Sequence, residues 1–213
     1  ILLALMGGVG KITAVEVNED LVDMVREHSS FNGGIYRELK NVRVVVEEGR
    51  HFLKSRKARY DLIMLSLPVT NTSRSLEGFA LTENFLFTTD AVTDYLDHLN
   101  EEGRLLVVAH DDMEALRLLS ISLAVFKTRG VGEKQAMNHI YIVGSEDYLV
   151  FVLRKKPFLQ EEIGFLHQAM LQMGFHPGIS FFPYIQAPLN PVLTSLGRGE
   201  RTAADVERLV GER

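Results

Sequence analysis

Short runs of hydrophobic residues recur along most of the chain, and the segments between them carry apolar residues at helical spacing. Runs of about five to seven residues suit strands that are buried on both faces of a sheet. Strands that alternate with helices are typical of βα units, so the pattern predicts a doubly wound α/β fold with a mostly parallel sheet. The predicted strands are residues 12–18, 42–47, 60–66, 104–110, 139–144 and 148–154.

The helical patterns between these strands have recognisable ends. Asp90 lies at the start of the third helix and Asp111 just before the fourth, and we predict both as N-caps. Glu102 and Gly103 are predicted to end a helix and lead into the strand at residue 104. The predicted helices are residues 19–28, 51–56, 89–100, 112–128, 159–173 and 203–210.

The last two predicted strands differ from the others in how they are connected. Only Ser145, Glu146 and Asp147 separate them, and a parallel crossover needs a much longer connection. The sequence therefore predicts an antiparallel hairpin at one edge of the sheet, near its C-terminal end.

The composition of the chain changes after Gly174. Proline becomes frequent, an irregular segment containing Phe181 and Phe182 follows, and a short helical pattern closes the chain. We predict a core of residues 1–155 and a helical and irregular appendage of residues 156–213. The core is expected to be truncated at its N-terminus, because the chain begins abruptly within an apolar stretch, residues 1–6.

Composition excludes several kinds of site. The chain of 213 residues has no cysteine, which rules out disulfides and thiolate ligands and agrees with a reducing compartment. Its seven histidines are scattered and form no zinc-binding spacing, so we predict no metal. A net charge of -5 without a basic stripe predicts no nucleic-acid partner. The longest apolar run, residues 116–126, is too short to span a membrane.

Two acidic residues follow neighbouring predicted strands. Glu16 lies at the end of the first strand and Glu48 follows the second, and carboxyl ends of parallel strands share one edge of a sheet. A carboxylate there can accept hydrogen bonds from ribose hydroxyls, and Gly49 lets a base approach the backbone. The alternatives are that Glu16 is a helix cap or a solvated charge, and that Glu47 and Glu48 are a solvated pair opening a helix.

Several stretches together resemble the polyamine aminopropyltransferases, typified by spermidine synthase. The resemblance covers about residues 1–110 and is closest to a divergent bacterial group that is often joined to membrane-spanning segments. It implies a class I methyltransferase-like Rossmann fold, whose sheet ends in a reversed strand like the one predicted here. The stretches are Ala14-Val15-Glu16-Val17-Asn18, Phe31-Asn32-Gly33-Gly34-Ile35-Tyr36, residues 42–53, Tyr60-Asp61-Leu62-Ile63-Met64 and Thr82-Glu83-Asn84-Phe85-Leu86-Phe87-Thr88.

The resemblance also implies a ligand and the residues that bind it. The ligand would be S-adenosylmethionine or its decarboxylated form, used as a substrate. Glu16 would bind the ribose, and Glu48 with Gly49 would stand where the family has an Asp-Gly pair that contacts adenine. Val17 and Arg50 flank these positions and complete the predicted binding set.

The chain departs from the family at two places. Ser66 stands where aminopropyltransferases carry an aspartate that receives the amine, so Ser66 and Glu83 are the candidate catalytic residues. The family's first strand and glycine-rich loop are not found before residue 12, because Gly7, Gly8 and Gly10 resemble a helix-to-strand turn. We expect this to expose two inner sheet edges, unless the chain extends upstream, closes the gap or borrows a partner's strand.

Three functions follow from these observations. The first is a transferase that moves a methyl or aminopropyl group from the sulfonium nucleoside to a small acceptor. The second is a non-catalytic nucleoside-binding or assembly domain of a larger protein, so enzymatic activity is left open. An NAD-dependent oxidoreductase is disfavoured, because it would continue with a parallel strand. We predict a cytoplasmic location, either free or as the cytoplasmic domain of a membrane protein, and leave a homodimer open.

Overall fold

The computed structural model describes residues 1–67, 85–145, 147–186 and 189–211. The chain divides into two compact units, Ile1–Ala58 and Arg59–Arg213. Each unit contains its own group of hydrogen-bonded strands, and the two are described separately below.

The first unit is a two-stranded parallel sheet with four short helices. Strand β1 pairs with β2 in a regular register that runs from Ile12 opposite Val42 to Glu16 opposite Val46. Within the described residues, β1 pairs with no other strand. The elements in chain order are α1 (Leu2–Met6), β1 (Ile12–Glu16), α2 (Glu19–Glu27), α3 (Ser29–Asn32), β2 (Val42–Val46) and α4 (Gly49–Lys54).

The glycines between α1 and β1 form a turn, as predicted. Gly7 follows the last residue of α1, and Gly8 has a φ of 79°, a left-handed conformation that glycine adopts without a steric penalty. Asn18 then begins α2, because its side chain accepts a hydrogen bond from the Leu21 N–H at 3.1 Å. The chain thus turns into β1 and out of it within a few residues.

The second unit contains a four-stranded sheet with the order β3-β4-β6-β5. Strands β3 (Tyr60–Ser66) and β4 (Leu99–Ala109) are parallel, whereas β6 (Leu149–Arg154) is antiparallel to both β4 and β5 (Ile140–Gly144). The predicted antiparallel hairpin is therefore confirmed. Its second strand, β6, lies between β4 and β5, and its first strand, β5, comes last in the strand order.

Strand β4 begins at Leu99, earlier than the predicted residue 104, and so includes Glu102 and Gly103. The prediction of a helix stop at these two residues is wrong, because the register shifts between Tyr60 and Leu62 and lets the strand continue. A Cβ on Gly103 would lie 2.7 Å from the Tyr60 carbonyl oxygen. The glycine therefore permits close contact of two strands.

The helices of the second unit largely follow the predicted positions. Asp111 caps α6 as predicted, accepting a hydrogen bond from the Glu114 N–H at 2.9 Å. The cap of α5 is Thr88 and not Asp90, because the Thr88 hydroxyl accepts the Ala91 N–H at 3.1 Å. The helices are α5 (Thr89–Asp97), α6 (Asp112–Thr128), α7 (Glu133–Ala136), α8 (Gln160–Gln172), α9 (Pro191–Arg198) and α10 (Ala203–Gly211).

Residues after position 155 contribute to the core of the second unit. Phe181 exchanges two backbone hydrogen bonds of 2.8 Å with Ile142 of β5. A buried cluster joins the sheet to α8 and the segment that follows it, and it consists of Tyr141, Val152, Phe158, Ile163, Met170, Phe182 and Leu189. The predicted division of the chain after residue 155 stays a prediction.

A buried arginine ties the sheet to α8. The Arg154 side chain is only 5% exposed, and its Nη1 lies 3.0 Å from a Glu162 carboxylate oxygen. Its guanidinium lies 4.4 Å from the centre of the Phe158 ring and also donates to the carbonyls of Lys156 and Pro157. These polar contacts are all made within the unit. Glu162 supplies the nearer negative charge, and the exposed Glu102 carboxylate lies 3.6 Å from the same Nη1.

We predict that Glu162→Ala lowers the free energy of unfolding by about 3 kcal/mol, because it leaves the buried Arg154 charge with only the exposed Glu102 as a partner and removes the carboxylate that pairs with Arg104. The matched control is Glu161→Ala, which removes an exposed acidic residue from the same first turn of α8. Urea denaturation of both variants measures the difference. Equal losses in the two variants would show that the ion pair does not stabilise this contact.

Candidate functional site

The carboxyl ends of β1 and β2 lie side by side in the first unit. Glu16 is opposite Val46, and the Glu47 N–H donates to the Glu16 carbonyl oxygen at 3.0 Å. Glu48 follows directly and begins α4. The structure therefore brings the backbone at Glu16 and the Glu48-Gly49 pair to one edge of the two-stranded sheet.

Glu16 has one carboxylate oxygen engaged in a local hydrogen bond. Its Oε1 accepts the Asn18 N–H at 3.0 Å, which fixes the side chain near the start of α2. Its Oε2 makes no hydrogen bond to any described residue. Because an ionised carboxylate has about four acceptor positions, Glu16 keeps capacity for a ligand hydroxyl while it holds the turn.

Glu48 caps α4 with both of its carboxylate oxygens. Oε1 accepts the Arg50 N–H at 2.8 Å, and Oε2 accepts the His51 N–H at 2.7 Å. The alternative interpretation of Glu48 as a residue that opens a helix therefore describes a role that the side chain does fill. The carboxylate remains exposed and retains further lone pairs, so capping and ligand binding are compatible.

Glu47 behaves differently from its neighbour. Its carboxylate lies 2.7 Å from Arg56 Nη2, and its side chain is 19% exposed. The hydrogen bond from Arg56 is the main cause that lowers the pKa of the Glu47 carboxyl. Glu47 and Glu48 are therefore not a solvated pair, because Glu47 pairs with Arg56 and only Glu48 opens the helix.

The backbone at Gly49 faces open space. A Cβ added there would meet no atom within 4 Å, so packing does not require a glycine at this position. Val17, beside Glu16, is 68% exposed. Arg50 is half-buried and follows Gly49 in the first turn of α4. Room for a ligand and an exposed apolar side chain thus flank the two glutamates.

Tyr36 is a further residue of this region, and the sequence alone predicts no role for it. Burial, and then the negative charge of Glu16, raise the pKa of its hydroxyl. The Tyr36 hydroxyl therefore stays protonated and lies within the field of the Glu16 carboxylate. Its signal in the sequence was its place at the end of the stretch 31–36, which was used only for the family resemblance.

In the second unit, Ser66 ends β3 and is exposed. It lies opposite Val108 of the parallel strand β4, and the Leu67 N–H donates to the Val108 carbonyl at 3.3 Å. Leu67 has a φ of 48°, a left-handed conformation that costs a residue with a side chain about 1 kcal/mol or more. Glu83 lies outside the described residues.

A histidine and a glutamate meet at the same edge as Ser66. His110 directly follows β4, and its Nδ1 lies 3.2 Å from Oε2 of Glu114 on α6. The same oxygen accepts the His110 backbone N–H at 2.8 Å. The sequence places His110 at the end of the predicted strand 104–110, near the same rim as Ser66, but its contact with Glu114 has no signal beyond a common His-x-x-x-Glu spacing.

Other kinds of site have little support in the described part of the chain. It contains no group of three or more His, Asp or Glu side chains placed to hold a metal ion. No helix in the described ranges is long and apolar enough to cross a membrane. A cavity of about 560 Å³ lies along α6, but its lining is mostly apolar and includes none of the predicted site residues.

Sequence comparison and structure comparison give different results for this chain. No protein-family model matches it, and no curated protein matches it by sequence. Solved structures do match. A probable spermidine synthase from Corynebacterium glutamicum aligns with a TM-score of 0.55 and 16% identity, over 84% of this chain and 60% of that one.

Two further structures align less well. Spermidine synthase from Thermotoga maritima gives a TM-score of 0.47 at 14% identity, over 73% of this chain and 48% of that one. Human methyltransferase-like protein 13, in complex with SAH, gives 0.46 at 13% identity, over 76% and 70% of the two chains. The chain thus spans 60% and 48% of the two spermidine synthases.

The likeness to the Corynebacterium glutamicum structure is one of fold, because the sequence identity is only 16%. It agrees with the mixed α/β architecture and with the partly parallel strands that end in an antiparallel hairpin. The chain therefore has a spermidine synthase-like, class I methyltransferase fold.

Proposed function

We propose that the chain is a transferase domain that binds S-adenosylmethionine or decarboxylated S-adenosylmethionine and alkylates a small acceptor. The observation that carries the proposal is the parallel pairing that places Glu16 and Glu48-Gly49 at one edge of the β1-β2 sheet. The fold supports it, because class I folds bind nucleosides at the carboxyl ends of parallel strands. The whole protein's activity and acceptor form part of this proposal.

Glu16 is the proposed ribose ligand. Its Oε2 is available within the described residues, and a carboxylate can accept hydrogen bonds from two adjacent hydroxyls. The bond from the Asn18 N–H to Oε1 orients the carboxylate without using all of its acceptor positions. Charge-assisted bonds of this kind are stronger than neutral ones, so Glu16 is expected to provide a large share of the affinity.

Glu48, Gly49 and Val17 form the proposed base contacts. The open space at Gly49 allows the flat face or edge of adenine to approach the backbone. Glu48 can accept a hydrogen bond from the exocyclic amino group on a lone pair that α4 does not use. The exposed Val17 side chain offers apolar contact, and Arg50 continues the backbone at the start of the helix.

The transferred group is either methyl or aminopropyl. In both reactions the carbon is already activated by the positive sulfur, so correct orientation of the acceptor can supply most of the acceleration. Ser66 at the end of β3 brings no negative charge, which suits an acceptor that is neutral at its reacting atom. Glu83 stays a proposed catalytic residue, because its carboxylate would supply the negative charge that Ser66 lacks.

The second candidate is a non-catalytic nucleoside-binding or assembly domain. The observation that favours it is Ser66, because a serine at the end of β3 lacks the carboxylate that would receive an amine. This candidate keeps the nucleoside site of the first unit and predicts no transfer. Binding and turnover therefore have to be measured separately.

The ribose assignment predicts that Glu16→Gln weakens binding of methylthioadenosine roughly 30-fold, because it removes about 2 kcal/mol of charge-assisted hydrogen bonding. Gln keeps an acceptor for the Asn18 N–H, so the turn is preserved. The measurement is titration calorimetry on the natural full-length protein with S-adenosylmethionine, its decarboxylated form and methylthioadenosine.

Glu19→Gln is the matched control, since it makes the same change at an exposed position in the first turn of α2. It is expected to bind like the wild type. If none of the three nucleosides binds the wild type, the proposed function is wrong. If Glu16→Gln binds as tightly as the wild type, the ribose assignment alone is wrong.

The adenine assignment for Glu48 can be separated from its role as a helix cap. Glu48→Ala should reduce stability by about 1 kcal/mol through loss of the cap. The wild type should bind methylthioadenosine about tenfold more tightly than the analogue whose base lacks the exocyclic amino group of adenine. Glu48→Ala should bind the two ligands equally. Calorimetry with both ligands measures this difference. A preference that survives in Glu48→Ala would leave Glu48 with the capping role only.

A further inference from the structure

The contact between His110 and Glu114 has the geometry of a base held by a carboxylate. Glu114 is only 8% exposed, and one of its oxygens, Oε2, contacts both the backbone N–H and the ring Nδ1 of His110. This double contact fixes the ring relative to its own backbone. The His110 side chain is 11% exposed. Its Nε2 makes no hydrogen bond to any described residue.

The orientation of the ring determines which nitrogen can accept a proton. A carboxylate that already accepts a backbone N–H also favours a proton on the nitrogen that faces it, here Nδ1. Nε2 then carries the lone pair. Pairs in which a carboxylate holds a histidine in this tautomer are the usual arrangement for a general base.

The position of the pair in the fold is the second observation. Val108 lies opposite Ser66 across the parallel strands, so His110 leaves β4 at the edge where β3 ends. The backbone at that edge is strained, because Leu67 adopts a left-handed conformation. Strain of this kind is concentrated at functional sites. By contrast, His98 lies just before the other end of β4 and contacts the backbone carbonyl of Asp94.

We propose that His110 is the proton acceptor of the transfer reaction and that Glu114 is its positioning residue. The inference rests on the proposed function and identifies the base that Ser66 cannot provide. It also narrows the acceptor to a small molecule whose nucleophilic oxygen or nitrogen is uncharged and carries a hydrogen. An imidazole removes that hydrogen without adding the negative charge that would select a cationic amine.

The step balances in atoms and charge. The lone pair of the acceptor atom forms a bond to the methyl or methylene carbon, and the bond from that carbon to sulfur breaks. The sulfur keeps the electron pair and becomes a neutral thioether. The proton of the acceptor atom passes to Nε2 of His110, so the positive charge moves from the sulfonium to the imidazolium, where the Glu114 carboxylate stabilises it.

A purely structural role is the alternative, in which the pair only joins β4 to α6. The test uses the natural full-length protein with n-butylamine, para-cresol and aniline as probe acceptors. Transfer is followed as release of methylthioadenosine or S-adenosylhomocysteine. His110→Gln should lower transfer to the uncharged nucleophiles about a hundredfold, while its affinity for methylthioadenosine stays unchanged.

Two further readouts separate catalysis from structure. Added imidazole should restore transfer in His110→Gly, which a structural loss would not allow. Glu114→Gln should lower transfer and shift the ¹⁵N resonances of His110 away from the tautomer with the proton on Nδ1. His98→Gln is the control at the other end of β4 and should transfer like the wild type.

The outcomes for the proposed function and for this inference are distinct. If the wild type binds a nucleoside but transfers to none of the probes, this inference is wrong, whereas the proposed function is wrong if none of the three nucleosides binds. If the wild type transfers and His110→Gln matches it, only the assignment of His110 is wrong. Loss of transfer in His110→Gln without rescue of His110→Gly by imidazole would also overturn it.

Discussion

Parallel pairing of neighbouring strands is the constraint that positions the candidate residues within each unit. In the first unit it places Glu16 beside Glu47 and Glu48, and in the second it places Ser66 at the edge where His110 leaves β4. Parallel strands begin at the same edge and end at the same edge, so residues far apart in the chain are brought to one edge by backbone hydrogen bonds alone. The side chains then need only local contacts to acquire their orientation.

Those local contacts determine how the acidic residues differ. Glu47 and Glu48 are adjacent, yet one pairs with Arg56 and the other holds the first N–H groups of α4. A carboxylate has more acceptor positions than one contact uses, so a structural bond can orient it for a ligand. Glu16 and Glu114 follow the same rule, since each contacts a nearby backbone N–H. Backbone N–H groups thus orient Glu16, Glu48 and Glu114, whereas Glu47 is held by its ion pair with Arg56.

The sequence predicted the strands and the hairpin well, because burial produces runs of apolar residues and a three-residue connection permits no crossover. It did not predict the early start of β4, since the contact of Gly103 with the Tyr60 carbonyl depends on a register shift between distant segments. Thr88 and Asp90 both suit a helix cap, and only the backbone conformation decides between them. His110 was predicted at the end of a strand, but its pairing with Glu114 was not, for a similar reason. Its spacing is ordinary, and its meaning comes from the edge at which it lies.

The order of strands in the second unit has a consequence for folding during synthesis of the chain. Strand β5 is paired with β6 and also bonds to Phe181, and both follow it in the sequence. Its buried residues, among them Ile140 and Ile142, therefore have no strand partner in the described fold until later segments have been synthesised. An emerging chain exposes an apolar strand with free edges for that interval, and such edges attract other chains. The same hairpin that completes the sheet thus makes its assembly depend on the last part of the unit.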